Sequence, residues 1–177
     1  MNNKHRVAQG FFNRDVLKVA PELIGKTLVR KHPDGKEKRY TITETEAYRG
    51  EKDLACHAKK GRTKRTEIMY HEGGCVYMYF IYGMYWMLNF VTGTKNEPQA
   101  VLIRGIEGID GPGKLAKQLQ LDRSFYGENL STSERLWIED PQTTIEYDSH
   151  TRVGIEYAGK PWTEKKWRFR LKQNSNR

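Results

Sequence analysis

The feature that most constrains this chain is an uncharged aromatic stretch from residue 76 to residue 91, which reads VYMYFIYGMYWMLNFV. It holds four tyrosines, one tryptophan and two phenylalanines around a single glycine. This composition predicts two β-strands joined at Tyr82-Gly83 into a hairpin. Aromatic residues at strand spacing usually belong to a hydrophobic core, but the tip of a hairpin is its hardest part to bury. The position of Tyr82 therefore favours a function for this residue.

Outside this stretch the chain is strongly basic. Its 177 residues include 31 lysines and arginines against 22 aspartates and glutamates, which gives a formal net charge of +9. A charge of this size favours a polyanionic partner, and aromatic rings in a basic protein are suited to stacking on nucleic-acid bases. An anionic membrane surface is the alternative, but it would require an amphipathic basic helix, and no such helix is recognisable.

The length of the chain fits one domain with its own hydrophobic core. No segment approaches the roughly 18 apolar residues of a membrane-spanning helix, and the polar N-terminus has no signal-peptide core. The two cysteines, Cys56 and Cys75, suit a reducing compartment and form no disulfide framework. We therefore expect a soluble, cytoplasmic protein.

Four residues offer potential zinc ligands, namely Cys56, His57, His71 and Cys75. They include no CxxC pair, and adjacent residues such as Cys56 and His57 rarely converge on one tetrahedral metal ion. The HxE and PCxxC motifs of zinc deaminases are also absent, which excludes that route to base hydrolysis. We expect neither a metal nor any other cofactor.

Periodicity and turn residues such as those at 32–35 predict mostly strands with a few helices, one of them capped by Asp15. The order of elements predicts an α+β fold, a single compact domain with a curved antiparallel β-sheet, a protruding aromatic hairpin and peripheral helices. We place this domain at residues 11–172, between a flexible N-terminus at 1–10 and a flexible tail at 173–177. Besides the hairpin, strands are expected at residues 26–31, 38–48, 100–104, 152–156 and 167–171.

Two carboxylates, Glu44 and Glu46, lie two residues apart in one predicted strand and so share a face with Ile42 and Tyr48. Carboxylates beside a tyrosine on a strand form either a solvated edge or a site. Periodicity alone favours the edge. With a histidine shortly after them, the same residues would also suit a water-activating base beside a stacking pocket.

Two further stretches are candidates for contact with phosphate groups. Residues 57–66, HAKKGRTKRT, form a basic loop, although most such runs are solvated surface. Residues 108–114 match GxxxxGK, but Leu115 stands where magnesium binding needs Ser or Thr, which excludes nucleoside triphosphate binding. The glycines still leave bare N–H groups at the start of a predicted helix, and these suit a DNA phosphate.

Several motifs acquire meaning from their common order and spacing. They are Glu44-Thr-Glu-Ala-Tyr48, His57, Tyr77-x-Tyr79-x-x-Tyr82-Gly-Met-Tyr85, Asn89, Val101-Leu-Ile-Arg104, Gly111-Pro-Gly-Lys-Leu115, Arg152-Val-Gly154 and Trp167-Arg-Phe-Arg170. Together they resemble the alkyladenine (3-methyladenine) DNA glycosylase family. Each motif alone is weak, whereas the set spans nearly the whole chain after residue 10.

The resemblance implies a monofunctional hydrolase that flips damaged purines out of duplex DNA and excises them, which starts base excision repair. Alkylated purines are the implied substrates, with deaminated and etheno purines as a wider set. The implied partner is double-stranded DNA with a damaged purine, and the protein is expected to be a monomer. The alternative is a non-catalytic binder of damaged DNA. Glu46 together with Arg104 favours the enzyme, because a binder gains nothing from a carboxylate near DNA.

The resemblance also assigns the catalytic roles. Glu46 would be the general base that deprotonates the attacking water. Arg104 and the carbonyl of Val153 would hold that water. Two departures from the family pattern lie outside these residues. The connection Gly105–Asp110 is short, and Thr66 replaces an asparagine, so both bear on the grip on DNA rather than on the chemistry.

Base recognition would use a separate set of residues. By the same resemblance, Tyr48, His57 and Tyr79 would form walls around the flipped base. Tyr82 would be the wedge that enters the duplex, and Asn89 would crowd the 2-amino group of guanine. We expect phosphate contacts from Lys59, Lys60, Arg62, Lys64, Arg65, Gly113 and Lys114.

Overall fold

Nine β-strands carry the fold of residues 5–172, the part of the chain that the computed structural model describes. They form one sheet in which the pairings are antiparallel. The strands are β1 Thr27–Lys31, β2 Glu37–Arg49, β3 Val76–Ile81, β4 Tyr85–Thr92, β5 Gln99–Ile106, β6 Ile109–Asp110, β7 Leu136–Glu139, β8 Tyr147–His150 and β9 Arg168–Leu171.

The main path through the sheet runs β3-β4-β5-β2-β1-β7. Strand β6 pairs with β5, and β9 pairs with both β2 and β8. The predicted α+β fold with an antiparallel sheet is confirmed. The predicted strand at 152–156 is wrong, because these residues form a bent loop instead. The strands β7 and β8 were not predicted. All four residues of β8 are exposed, so this strand lacks the alternation that would reveal it.

The helices are short and lie around the sheet: α1 Gln9–Phe12, α2 Val16–Glu22 and α3 Pro112–Gln118. Asp15 caps α2 as predicted, since its carboxylate accepts the Leu17 N–H at 2.9 Å. The buried face of α2 packs on β2, where the Thr45 hydroxyl donates to the Ala20 carbonyl at 2.8 Å. No helix within residues 5–172 is long and apolar enough to cross a membrane.

The long strand β2 changes face in its middle. Ile42 and Ala47 both lie in the main hydrophobic core, although an uninterrupted strand would point them to opposite sides. The pairing of β2 with β5 is irregular between Ile42 and Thr45, which is the signature of a β-bulge. The prediction that Ile42 shares a face with Glu46 is therefore wrong. The bulge lets both Ile42 and Ala47 face the core, while Glu46 faces the opposite side of the strand.

The described part of the predicted flexible N-terminus packs against the sheet. Val7 is buried, and its N–H donates to the Ile138 carbonyl at 2.9 Å. Arg6 donates to the Leu130 carbonyl at 2.7 Å. The ordered part of the domain therefore begins earlier than residue 11. The remainder of the two predicted flexible ends, residues 1–4 and 173–177, lies outside the described residues.

The aromatic hairpin consists of β3 and β4, with its tip at Tyr82 and Gly83. Both tip residues have positive φ angles, 54° and 64°. Glycine adopts this region freely, whereas a tyrosine rarely does. The Tyr82 side chain is 83% exposed, so no burial compensates for this conformation. An exposed ring held in an unfavourable backbone conformation points to a functional requirement.

Close to its tip, the hairpin rests on α3 through a glycine. A Cβ atom added at Gly113 would lie 2.7 Å from Cδ1 of Tyr85, which is closer than real Cβ contacts allow. The ring of Tyr85 therefore occupies the space that a side chain at Gly113 would need. Close packing explains this glycine of the GxxxxGK match without any bound phosphate.

We expect Gly113→Ala to destabilise the protein by about 1–3 kcal/mol, because the added methyl group must displace Tyr85. The free energy of unfolding in urea measures this loss. Gly10→Ala is the control, since a Cβ at Gly10 in α1 has no atom within 4 Å and alanine favours a helix. If Gly113→Ala were as stable as the wild type, the docking of the hairpin on α3 would be unimportant to the fold.

Candidate active site

Residues that are far apart in the sequence meet around an open cavity of about 600 Å³. Strands β2 to β5 and the loop residues 55–66 and 153–157 form most of its wall. The predicted site residues that line it are Tyr48, His57, Lys59, Lys60, Arg65, Tyr79, Tyr82, Asn89, Arg104 and Val153. The structure thus brings together every residue predicted to hold the base or the water. Arg62, Lys64, Gly113 and Lys114 are not in the lining.

Glu46 lies directly behind this wall, and its side chain has no exposed surface. One carboxylate oxygen, Oε2, accepts the hydroxyl of Tyr48 at 2.7 Å. The other, Oε1, accepts the backbone N–H of Val153 at 2.7 Å. Both donors are cavity-lining residues, so the carboxylate is one contact away from the cavity. Each oxygen keeps further acceptor capacity, since an ionised carboxylate offers about four lone-pair sites.

Burial raises the pKa of Glu46 above its ordinary value, and the neighbouring Arg104 guanidinium is the main opposing influence. The Val153 N–H also stabilises the charged form. A carboxylate with a raised pKa binds a proton more readily than a solvated glutamate. This property suits a proton acceptor. The prediction that the two carboxylates form a solvated edge is wrong, because both Glu44 and Glu46 are buried.

Arg104 sits between the two carboxylates. Its Nε lies 3.6 Å from Oε1 of Glu46 and 3.6 Å from Oε1 of Glu44. Both distances exceed a direct hydrogen bond, and within residues 5–172 this buried Nε–H has no hydrogen-bond partner. Glu44 is held more tightly by Arg168, whose Nη1 donates to it at 2.8 Å. Glu44 therefore belongs to a structural ion pair, while Glu46 and Arg104 leave polar capacity open beside the cavity.

The rings of Tyr48, His57 and Tyr79 line the cavity. His57 meets Tyr79 edge to face, with ring centroids 4.6 Å apart. Arg65 places its guanidinium 5.2 Å from the centroid of Tyr79, within the range of a cation–π contact. Flat, electron-rich surfaces of this kind suit a planar heteroaromatic ring.

His57 is held in a neutral state. Burial and the positive charges of Arg65, Lys59 and Lys60 lower the pKa of His57 to about 4. Its Nδ1 forms a hydrogen bond of 2.9 Å with the hydroxyl of Tyr77, so Nε2 is the ring nitrogen that remains for a ligand. The imidazole is therefore a neutral hydrogen-bonding group at physiological pH, rather than an acid.

Asn89 is buried on β4 with a fixed amide orientation. Its Nδ2 donates to the carbonyls of Tyr77 at 3.2 Å and Met87 at 3.3 Å. Because both acceptors are carbonyl oxygens, they define which end of the amide is nitrogen. The side chain thus forms a rigid part of the cavity lining.

Side chains of the basic loop, residues 57–66, form hydrogen bonds and an ion pair within the protein. Arg62 is paired with Glu67 through contacts of 2.6 and 2.8 Å. Thr66, the departure from the family pattern, is buried, accepts the Thr63 N–H at 2.9 Å and donates to the Gly61 carbonyl at 3.1 Å. The hydroxyl of Thr66 therefore ties the loop together from within. Phosphate binding by these cations remains a prediction.

Two residues of the site, Tyr157 and Arg152, were not among the predicted site residues. Tyr157 lines the cavity, and its hydroxyl donates to the Ala55 carbonyl at 2.9 Å. The Nζ of Lys59 lies 4.6 Å from the centroid of the Tyr157 ring. Arg152 lies behind Tyr48, with its guanidinium 4.9 Å from the ring centroid. Arg152 is part of the Arg152-Val-Gly154 motif, so the signal was present, but a buried contact cannot be read from a motif.

The potential zinc ligands do not assemble. Burial raises the pKa of Cys56 to about 12, which keeps its thiol protonated. Cys75 is also a free thiol, and partial burial raises its pKa as well. Across residues 5–172, no three His, Cys, Asp or Glu side chains lie close enough together to hold a metal ion.

Comparison with known proteins gives a consistent picture. Residues 10–110 and 107–175 match the family model described as methylpurine-DNA glycosylase. A protein of Psychrobacter cryohalolentis is 43% identical over 88% of this chain and 88% of its own. A protein of Rickettsia felis is 42% identical over 96% of this chain and 94% of its own, and one of Legionella pneumophila is 39% identical over 96% of each. All three carry the name "Putative 3-methyladenine DNA glycosylase".

The low pKa of His57 makes the stability of the protein depend on pH. The unfolded chain binds a proton at this residue near pH 6.5, whereas the folded protein resists protonation down to about pH 4. Acidification within this window therefore favours the unfolded chain. We expect wild-type stability to fall by about 2 kcal/mol between pH 7 and pH 5 through this residue.

Urea unfolding at the two pH values measures this effect, with His57→Gln as the variant that lacks it. His150→Gln, which alters an exposed histidine, is the control and should keep the wild-type pH dependence. An identical pH dependence in wild type and His57→Gln would contradict the buried, neutral imidazole.

Proposed function

The chain belongs to the methylpurine-DNA glycosylase family and hydrolyses N-glycosyl bonds in DNA, and we propose that it excises alkylated purines from duplex DNA by base flipping. Deaminated and etheno purines form the proposed wider substrate set. The enzyme acts as a monomer, without a metal or a lyase step. The observation that carries this proposal is the buried Glu46 beside Arg104, at the back of an aromatic cavity.

The proposed reaction is a hydrolysis at C1′ of the deoxyribose. Glu46 accepts a proton from a water molecule as the water oxygen forms a bond to C1′. The C1′–N bond breaks, and its electron pair leaves with the purine. A purine alkylated at N3 or N7 carries a positive charge and leaves as a neutral base. The catalytic contribution of the protein is then to position the water and to accept its proton.

Arg104 and Val153 are proposed to hold that water. Arg104 Nε lies 3.6 Å from Glu46 Oε1, too far for a direct hydrogen bond, and within residues 5–172 it has no hydrogen-bond partner, so its N–H is available to a water beside the carboxylate. The N–H of Val153 already orients Oε1 from the other side. The Val153 carbonyl is our proposed second acceptor for the water, which would leave one lone pair aimed at C1′.

The extruded base is proposed to stack between Tyr48, His57 and Tyr79. A cationic purine is attracted to the faces of these rings, although Arg65 near Tyr79 weakens this attraction. Neutral His57 offers Nε2 to the edge of the base. Asn89 crowds the position of a guanine 2-amino group, because its amide is held in place by two carbonyls. Stacking and this steric contact together favour damaged purines over guanine.

The grip on DNA is proposed to come from charge and from the wedge. Lys59, Lys60 and Arg65 are exposed residues of the cavity lining, so their charges can reach the phosphates beside a flipped nucleotide. Tyr82 then fills the gap in the base stack. Arg62 would have to share its contact with Glu67, so we assign it a smaller contribution.

The proposed function is tested by a base-release assay on duplex oligonucleotides that carry 3-methyladenine, 7-methylguanine, hypoxanthine or ethenoadenine. Glu46→Gln should lower single-turnover release by roughly 10²–10⁴-fold, because an amide cannot accept the proton of the water. Affinity for lesion DNA should remain largely intact. Glu44→Gln is the matched control on the same strand and should be far milder. Near-normal release by Glu46→Gln, or the reverse ranking of the two variants, would show that the general base is misassigned.

Tyr82→Ala should impair flipping more than bond cleavage. Loss of the ring forfeits stacking of roughly 1–3 kcal/mol, which is about a five- to two-hundred-fold drop in the flipped population. The fluorescence of a 2-aminopurine beside the lesion reports the flip directly. Tyr82→Phe should be close to wild type, because only the ring is needed.

Tyr147→Ala, which removes another exposed tyrosine on β8, is the matched control and should leave flipping unchanged. The defect of Tyr82→Ala should shrink when the lesion faces a mismatch, where less stacking is broken. An equal defect for paired and mispaired lesions would contradict the wedge.

A further inference from the structure

A buried ion pair lies directly behind the catalytic carboxylate. Arg152 and Asp53 have side chains with no exposed surface. The guanidinium donates to both oxygens of Asp53, from Nη1 at 2.6 Å and from Nη2 at 2.9 Å. Two buried charges are expensive to remove from water, and a hydrophobic pair would often serve stability equally well. Stability alone therefore does not explain why this pair is here.

Arg152 contacts both residues that follow Glu46 in β2, namely Ala47 and Tyr48. Its Nη1 also donates to the carbonyl of Ala47, the residue between Glu46 and Tyr48. Its guanidinium lies 4.9 Å from the ring centroid of Tyr48 and 5.0 Å from that of Trp167. The same residue thus holds the strand that carries Glu46 and supports the ring whose hydroxyl binds Oε2.

Asp53 extends this arrangement into the turn that follows β2. Its carboxylate accepts the backbone N–H of Arg49 at 3.0 Å and that of Ala55 at 3.1 Å. The turn, the end of β2 and the loop after β8 are therefore joined at one point. The peptide group that follows Arg152 supplies the Val153 N–H, which binds Oε1 of Glu46.

We propose that Arg152, held by Asp53, is the positioning residue that sets both hydrogen bonds to the catalytic carboxylate of Glu46. It acts through Tyr48 on one oxygen and through Val153 on the other, and it touches neither the base nor the water. Without this anchor the two donors move independently of each other. The carboxylate then loses its fixed direction toward the water.

A positioning role predicts a change in the pH dependence of catalysis. Hydrogen bonds to the charged form of Glu46 oppose the rise in its pKa that burial causes. Weakening these hydrogen bonds raises the pKa of Glu46 further. On acidification, the carboxylate then becomes protonated at a higher pH than in the wild type. Several charged and titratable groups surround Glu46. The cations are Arg104 on β5, Arg168 on β9 and Arg152 in the loop after β8. The other groups are Glu44 and Tyr48 on β2, and Tyr79 and Tyr157 around the cavity.

The test uses the double variant Arg152→Gln/Asp53→Asn in the full-length protein. Because the ion pair is neutral as a whole, removing both charges leaves no unpaired buried charge and changes the distant field little. Single-turnover base release is measured against pH. We expect the acid limb to move to higher pH by roughly half to one unit and the plateau rate to fall about 10- to 100-fold. Affinity for lesion DNA should change little, since no proposed DNA contact is removed.

Arg30 provides a matched control. Counted over the whole residue, backbone included, Arg30 is 4% exposed and Arg152 is 5% exposed. The Nε of Arg30 donates to the Leu119 carbonyl at 2.8 Å, and its guanidinium lies 4.8 Å from the Phe125 ring centroid. Arg30→Gln should lower the melting temperature but leave both the acid limb and the plateau rate unchanged. A merely structural role for Arg152 would make its variant behave in the same way and would overturn the proposal.

Arg152→Lys answers the question if the double variant does not fold. It keeps the charge but not the two-pronged contact with Asp53. We expect a reduced plateau rate and an acid limb that moves to higher pH by less than in the double variant. Wild-type values for both quantities would overturn the proposal. The inference rests on Glu46 being the base, so Glu46→Gln is assayed in parallel. An active Glu46→Gln would reject the proposed function, whereas an inactive Glu46→Gln with unaltered Arg152 variants would reject only the positioning role.

Discussion

The burial of one carboxylate governs the arrangement of this site. Glu46 has no exposed surface, and a charge inside a protein must be met by donors or opposite charges. The surroundings supply Tyr48 from the same strand, Val153 from a distant loop and Arg104 from the neighbouring strand. Each of these three groups stands on a different piece of backbone. The hydrogen bonds and the opposite charge that the buried carboxylate of Glu46 requires therefore bring these three parts of the chain together.

Two irregularities of the fold follow from this requirement. The bulge in β2 lets the strand fill the core at Ile42 and still present Glu46 on the opposite side. After β8, residues 151–155 leave the sheet, and the Val153 N–H is used for the carboxylate instead of a strand neighbour. In both places a regular ladder is interrupted where the site needs a polar group. Irregular backbone is thus concentrated beside the chemistry.

The aromatic residues of the hairpin are divided between buried and exposed positions. Tyr77 is fully buried and supports His57, while Tyr85 packs on Gly113 and fixes the hairpin to α3. Tyr82, in contrast, is exposed and adopts a backbone conformation that tyrosine disfavours. The contact of Tyr85 with α3 lies close to the tip and holds the hairpin in place there. The same stretch of sequence therefore builds the core, shapes the cavity and presents the ring at its mouth.

The amino-acid sequence by itself determined the family, the α+β class, the hairpin with its tip at Tyr82 and the cap at Asp15. These features depend on local patterns, and local patterns are visible in a linear chain. Motif order also identified the cavity residues, from Tyr48 through Asn89 to Arg104. Exposed β8 and the loop around Arg152 escaped detection, because the first shows no hydrophobic alternation and the second imitates a strand with Val153 and Ile155.

Only the tertiary structure decided the environment of each group. Alternation predicted that Glu44 and Glu46 form a solvated edge, yet both are buried, and a bulge that no pattern reveals separates them from Ile42. The neutral state of His57 depends on burial and on cations that the fold brings near it. The pairing of Arg152 with Asp53 joins residues 99 positions apart. Burial and long-range charge pairing arise from three-dimensional proximity, which residue types and spacing do not encode directly.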